Sequence, residues 1–196
     1  MSLETALDLA TWRAAARASL GNRLLPDRKA ESWRFTDLRA LEQATFTDAP
    51  LEAHTAQDLG QGAWLKPLSQ VWDQVRDRLH THTDDVFALR NAAFGTEGWV
   101  LYVPANVQLT EPVAIAFVTA AGSQTYPRLL VILERGSEAT LIERYESEGF
   151  SNAVTEMYLA DNTSLKHCLK PNGQWHSYPD GRCPAGHQQP LSELCP

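Results

Sequence analysis

Ile132-Leu-Glu-Arg-Gly-Ser-Glu-Ala-Thr-Leu141 is a strand end, a short polar turn and a new strand, with no helix between them. The same outline occurs in Tyr102-Val-Pro-Ala-Asn-Val-Gln-Leu109 and in Tyr158-Leu-Ala-Asp-Asn-Thr-Ser-Leu165. Leu133 and Leu159 lie 26 residues apart, and Val103 lies 30 before Leu133. Parallel strands in a βαβ unit need a helical crossover, and none fits here. A period of roughly 20–50 residues is the mark of stacked repeats. Short strands joined by polar turns therefore point to a β-helix of stacked rungs. An antiparallel sandwich gives similar strand–turn–strand patterns and stands as the competing architecture.

Working outward, the β-rich segments are Trp99–Val103, Val107–Leu109, Val113–Val118, Leu129–Leu133, Ala139–Tyr145, Ala153–Leu159 and Ser164–Cys168. Leu129-Leu-Val-Ile-Leu133 is entirely apolar, as expected of a strand covered on both faces. Before Trp99 the period is helical. Leu9, Trp12, Ala16 and Leu20 recur at helical spacing, and Gly21 is placed to end that helix. A second helix is expected after Pro67, with Leu68, Val71, Trp72, Val75 and Leu79 on one face. A third, short helix is expected after Asp84 as its cap, with Val86, Phe87 and Phe94 as its apolar side. Residues 39–66 show weak periodicity and contain Pro50, Gly60 and Gly62, so they read as irregular. The fold class expected is α+β: a helical domain over 1–95, then the first rungs of a parallel β-helix over 96–169.

From 170 to 196 the character changes. Five of the eleven prolines and two of the three cysteines fall there, without apolar periodicity. Such a stretch has no apolar face to offset its ordering entropy. It is expected to be a non-native, disordered tail produced by a frameshift. The codons that encode His176 to Gln189, read one nucleotide later, are compatible with an alternating β-strand.

The chain has 196 residues, 43% of them hydrophobic and 21% charged, with net charge −7. That balance suits a globular protein and not a nucleic-acid binder, which needs clustered Lys and Arg. Met1-Ser-Leu-Glu-Thr5 has no basic region and no apolar run, so no secretory leader is expected. No window approaches the roughly 18 apolar residues of a membrane span. Cys168, Cys183 and Cys195 have no framework spacing and suit reduced thiols in a cytoplasm.

Leu25-Pro-Asp-Arg-Lys-Ala-Glu-Ser-Trp-Arg-Phe-Thr-Asp-Leu38 holds two large aromatics among charged residues. It reads as a packed connector. Trp33 is expected to be mostly buried, with Arg28 or Arg34 paired to Glu31 or Asp37. The residues singled out are Pro26, Arg28, Lys29, Glu31, Trp33, Arg34, Thr36 and Asp37. They serve either as an intramolecular cluster around Trp33, the favoured reading, or as a partner-facing surface.

This segment resembles the P-x-R-K-x-E-x-W-R-[YF]-T-D-L motif of the SufB/SufD family of iron–sulfur cluster assembly scaffolds, in its SufD branch. Asn91–Val107, Glu111–Ile115, Pro127–Glu134, Ala139–Glu143 and Asn152–Glu156 are similar to successive parts of the same family, in order. The resemblance implies a right-handed parallel β-helix and a non-catalytic scaffold role. It implies SufB-like and SufC-like partners and no cluster or other cofactor held by this stretch. Family members are longer, and the resemblance implies that their partner-docking region lies beyond this chain.

Two other readings need weighing. His167, Cys168, His176, Cys183, His187 and Cys195 invite a metal site. Their spacings do not match the close pairs that let two ligands reach one tetrahedral ion from one turn. His80 and His82 suit a helix end better than a ligand pair. Glu134, Glu138, Glu143 and Glu156 could serve a polysaccharide-cleaving β-helix. That chemistry needs two carboxyl groups a few ångströms apart, whereas each Glu here reads as part of a solvated face. No G-x-x-x-x-G-K-[ST] occurs, so any ATP hydrolysis belongs to a partner.

Overall fold

The computed structural model describes residues 8–23, 25–26, 31–33, 35–55, 59–79 and 85–172. The tail from 173 to 196, and with it the disorder and frameshift expected there, lies outside them. Helix α1, Leu9–Leu20, begins where the Asp8 carboxylate accepts the Thr11 N–H at 2.6 Å. It buries Trp12, Ala16 and Leu20 and ends at Gly21, whose φ of 55° suits a residue without Cβ. A short helix α2, Arg39–Gln43, precedes three short strands: β1 (Thr47–Asp48), β2 (Glu52–His54) and β3 (Trp64–Pro67). Helix α3 spans Leu68–Val75, with Leu68, Val71, Trp72 and Val75 buried.

Helix α4, Val86–Phe94, differs from expectation at both ends. Its cap is Asp85, which accepts the N–H groups of Phe87 and Ala88 at 2.8 and 3.0 Å; Asp84 lies outside the described residues. Its buried side is Val86, Leu89, Ala92 and Ala93, while Phe94 is 37% exposed. Phe87 and Phe94 are seven residues apart and so share one stripe. That stripe faces the rim, where Phe87 meets Trp33 and Phe94 meets Tyr126.

Eight further strands follow: β4 (Trp99–Val103), β5 (Val113–Thr119), β6 (Ser123–Thr125), β7 (Arg128–Leu133), β8 (Glu138–Ser147), β9 (Phe150–Ser151), β10 (Val154–Leu159) and β11 (Ser164–Asn172). They form three sheets in the orders β10-β7-β4-β3, β11-β8-β5-β2 and β1-β6-β9. From β4 onward the chain visits the three sheets in rotation, and strands within a sheet pair in parallel. Val154 pairs with Arg128, Ser164 with Glu138 and Phe150 with Gln124, an offset of 26 residues in all three sheets. The antiparallel sandwich therefore fails. Consecutive β7 and β8 lie in different sheets and do not pair. Val107–Leu109 contributes only a bridge at Gln108 to Glu138.

Strand β11 runs past Lys170 to Asn172, in register with Arg144, Tyr145 and Glu146. The strand pattern thus continues three residues into the stretch read as non-native.

The turns between the first two sheets stack as well. Asn106, Gly136 and Asn162 all have positive φ, at 60°, 71° and 58°. The Asn106 N–H donates to the Arg135 carbonyl at 2.9 Å and the Gly136 N–H to the Asp161 carbonyl at 3.0 Å. Asn and Gly are the residues that tolerate this conformation.

Residues 39–66, read as irregular, are corrected. Within them Glu52–His54 pairs antiparallel with Val118–Ala116, and Thr47–Asp48 pairs parallel with Ser123–Gln124. Trp64–Pro67 pairs antiparallel with Tyr102–Trp99. One strand thus covers the front edge of each sheet. Pairing partners about 35–75 residues away decide this segment, so its local period is weak.

Two apolar cores result. Inside the sheets, Leu101, Val103, Val113, Ile115, Phe117, Leu129, Val131, Leu133 and Leu141 are at most 1% exposed. Each such side chain is worth roughly 1.5–3 kcal/mol of burial. Outside β4 and β7, the helices seat Trp12, Leu68, Trp72, Leu89 and Ala93 on Val100, Leu130 and Ile132. Strand β7 is buried on both faces for this reason, as its all-apolar run requires.

Candidate functional site

Three polar assemblies stand out. The first lies in the connector. Pro26 is buried, and Thr36 donates its N–H to the Trp33 carbonyl at 2.9 Å. Trp33 is partly buried, with its ring centroid 5.1 Å from that of Phe87. Phe35 is 86% exposed, so the connector does not pack both aromatics. The short 3-10 turn Glu31–Trp33 turns one ring inward and leaves the other outside. Glu31 is exposed. Asp37 takes a two-pronged pair from Arg39 at 2.9 and 2.6 Å. Among the described residues its partner is the one two positions downstream, whose backbone N–H also binds it at 3.0 Å. Arg28, Lys29 and Arg34 lie outside the described residues.

The second assembly joins the helices to the sheet. Arg128 on β7 is 5% exposed. It donates to Asn91 Oδ1 at 2.9 Å and to Glu156 Oε2 at 2.5 Å, and its guanidinium lies 5.0 Å from the Trp12 ring. Asn91 in turn donates to the carbonyls of Pro127 and Asn152, and Asn152 to that of Phe87. Burial pulls the Arg128 pKa down, against the raising pull of the Glu156 charge. The guanidinium stays cationic, as arginine does in proteins.

The third assembly lies inside the sheets, where the sequence suggested nothing polar. Glu143, read as part of a solvated face, is 0% exposed. The alternation of β8 places it on the inward side with Ala139, Leu141 and Tyr145. Three groups converge on its carboxylate. The Tyr145 hydroxyl and the Thr155 hydroxyl donate to Oε1, the latter at 2.7 Å, and His167 Nε2 lies 2.8 Å from Oε2. Burial, with the Glu143 charge added, pushes the Tyr145 phenol above its ordinary range. The signal in the sequence was the even spacing of Glu143 from Leu141 and Ala139. A strand that buries those two must bury the third.

The remaining expected site residues do not converge. Glu134 pairs with Arg78 at 2.9 Å and Glu156 with Arg128, while Glu143 is sealed, so these carboxylates face different elements. His167 is turned toward Glu143, and Cys168 is buried on the following position. His80, His82, His176, Cys183, His187 and Cys195 lie outside the described residues. Among the described residues no three His, Cys, Asp or Glu side chains group to hold a metal. No described helix is long and apolar enough to cross a membrane.

These features define an α+β protein whose parallel sheets are fronted by helices, with polar groups spent on internal contacts. Residues 116–177, on and just beyond those sheets, match the family model of the SUF system FeS cluster assembly SufBD core domain. Over that part the chain is similar to the SufB/SufD family. It is 27% identical over 210 residues to an iron–sulfur cluster assembly SufBD family protein of Synechocystis, covering 81% of this chain and 46% of that protein. It is also 27% identical over 128 residues to the iron–sulfur cluster assembly protein SufD of Bacillus subtilis, covering 62% of this chain and 27% of that one. The chain spans less than half the length of these curated relatives.

Proposed function

We propose that the chain is a non-catalytic scaffold component of iron–sulfur cluster assembly, acting with SufB-like and SufC-like subunits in the cytoplasm. The observation that carries this is the family match over residues 116–177, which falls on strands β5 to β11. We infer that the three rotating sheets are the first turns of a right-handed parallel β-helix. The 26-residue offset that the last circuit shares across all three sheets supports that reading. The helical part over 1–95 and the sheets over 96–169 then act as one platform, with Arg128 joining them. The scaffold holds no cluster of its own. Its contribution is to present surfaces to the subunits that build the cluster. The motif residues Pro26, Glu31, Trp33, Thr36 and Asp37 shape the connector, and the exposed Phe35 beside them is the side chain offered outward. The Asp37–Arg39 pair, the partly buried Trp33 and the sealed Glu143 all favour internal roles over carbohydrate chemistry.

The test is reconstitution. The full chain is mixed with SufB-like and SufC-like subunits, and complex formation and cluster assembly are followed by size-exclusion chromatography and visible absorption. Co-elution with raised cluster yield supports the reading. No co-elution, or cleavage of acidic glycans by the chain alone, defeats it.

A further inference from the structure

Strand β11 carries Leu165, His167 and Leu169 on one side and Lys166, Cys168 and Lys170 on the other. Because side chains alternate with period two, a slip of two residues against β8 would keep every one of them on its own side. The apolar pattern therefore does not choose between these registers. Turn length does not choose either. The turn from the first sheet to the second takes residues 104–112 in the first circuit, and 134–137 and 160–163 in the next two. A two-residue lengthening of the last turn has room by that standard. It would carry His167 about 6.6 Å along the strand, at roughly 3.3 Å per residue. His167 would then stand opposite Ala139 and out of reach of Glu143, which is 0% exposed.

We propose that the buried Glu143–Tyr145–Thr155–His167 cluster is a register lock, which fixes β11 against β8 and ties it to β10. The observed register sets His167 opposite Leu141, one diagonal step from Glu143. There its ring closes on Oε2 at 2.8 Å while Thr155 reaches in from β10 to Oε1 at 2.7 Å. In the slipped register the carboxylate loses a donor in a place water does not enter, and an unsatisfied buried charge is costly. Specifying pairing is the best-attested use of buried polar groups. The residues concerned contribute to three strands, so the lock acts on β8, β10 and β11 together.

The test uses the full chain with Cys183→Ser and Cys195→Ser, leaving Cys168 as reporter. Ile142 lies opposite Cys168, and Thr140 lies two residues before it on the same outward side. Neighbouring strands are about 4.8 Å apart, within disulfide reach, whereas a two-residue offset exceeds the roughly 7 Å limit. Under mild oxidation, Ile142→Cys should cross-link to Cys168 at least tenfold faster than Thr140→Cys. Adding Glu143→Leu should raise the Thr140→Cys rate at least tenfold. Adding Glu143→Leu with His167→Leu, an apolar pair that leaves no charge behind, should do the same. Hydrogen exchange should meanwhile leave β4, β5 and β7 protected. The proposal is overturned if the apolar pair retains only the Ile142→Cys cross-link. It is equally overturned if β11 loses protection with no slipped cross-link, because the cluster would then supply stability and not register.

Discussion

The two ends of the strand stack are built differently. At the front, β1, β2 and β3 each cover one sheet edge, and two of them run antiparallel to the strands they cover. Helices α1, α3 and α4 then seal the outer face of β4 and β7. At the back, β9, β10 and β11 are the outermost strands of the same three sheets. There Met157, Tyr158 and Leu159 are 40%, 46% and 47% exposed. Among the described residues, the front is closed by non-local pairing and apolar packing, and the back is ordered by the polar cluster on Glu143. Edge strands with apolar side chains are aggregation-prone. The lesson is that repeat strands specify the stack, and different devices hold its first strands and the last described ones.

The largest effect is expected at the front junction. Arg128→Ala strips Glu156 and Asn91 of a shared partner and leaves Trp12 without its cation. The cost should be about 3–5 kcal/mol, as for other broken buried pairs, read from denaturant unfolding. A cost below about 1 kcal/mol would mean that the helices hold to the sheet by apolar contact alone.

The contrast between front and back is tested directly by Leu133→Ala against Leu159→Ala. These residues occupy equivalent positions on paired strands, but Leu133 is 0% exposed and Leu159 47%. The first should cost about 2–5 kcal/mol and the second under about 1 kcal/mol. Equal costs would show that the back end is as well covered as the middle.

A smaller effect is expected at the turn ladder. Gly136 has φ 71°, and a Cβ there would lie 2.7 Å from Asn106 Oδ1. Gly136→Ala should cost about 1–2 kcal/mol from the left-handed backbone, and lower the melting temperature accordingly. An unchanged midpoint would mean that the stacked turns relax freely.

The smallest effect is confined to alkaline solution and to the back end. Burial and the Glu143 charge raise the Tyr145 pKa above its ordinary 10.0. Unfolded, this phenol loses its proton near pH 10; folded, it keeps it. Above that pH the unfolded chain binds fewer protons, so stability falls as pH rises. The slope is about 1.4 kcal/mol per unit for one group. Tyr145→Phe should remove one proton's worth of that slope. An unchanged alkaline limb in the variant would show that Tyr145 titrates normally.

Much of the fold was legible in residues. The helix over 9–20 declared itself through Leu9, Trp12, Ala16 and Leu20 and its Gly21 end. The buried strand declared itself through Leu129–Leu133, and the stacked turns through the recurring outline ending at Leu109, Leu141 and Leu165. The front strands were not legible. Glu52-Ala-His54 has no pattern of its own and becomes a strand only because Ala116–Val118 offers it an edge. The connector was legible only in part. Asp37 meets the Arg39 fork two residues away, a local geometry that residue type does not announce.

The sequence by itself determined the three longer helices, the order of the main strands from Trp99 onward and the family likeness. These rest on short-range periodicity and on chain-local turn chemistry. Only the tertiary structure decided that Glu143 is internal and meets donors 2, 12 and 24 residues away. It alone decided that Arg128 bridges helix and sheet, and that an irregular segment closes the front. Each of these depends on groups far apart in the chain being brought to one place, and no local pattern records such a meeting.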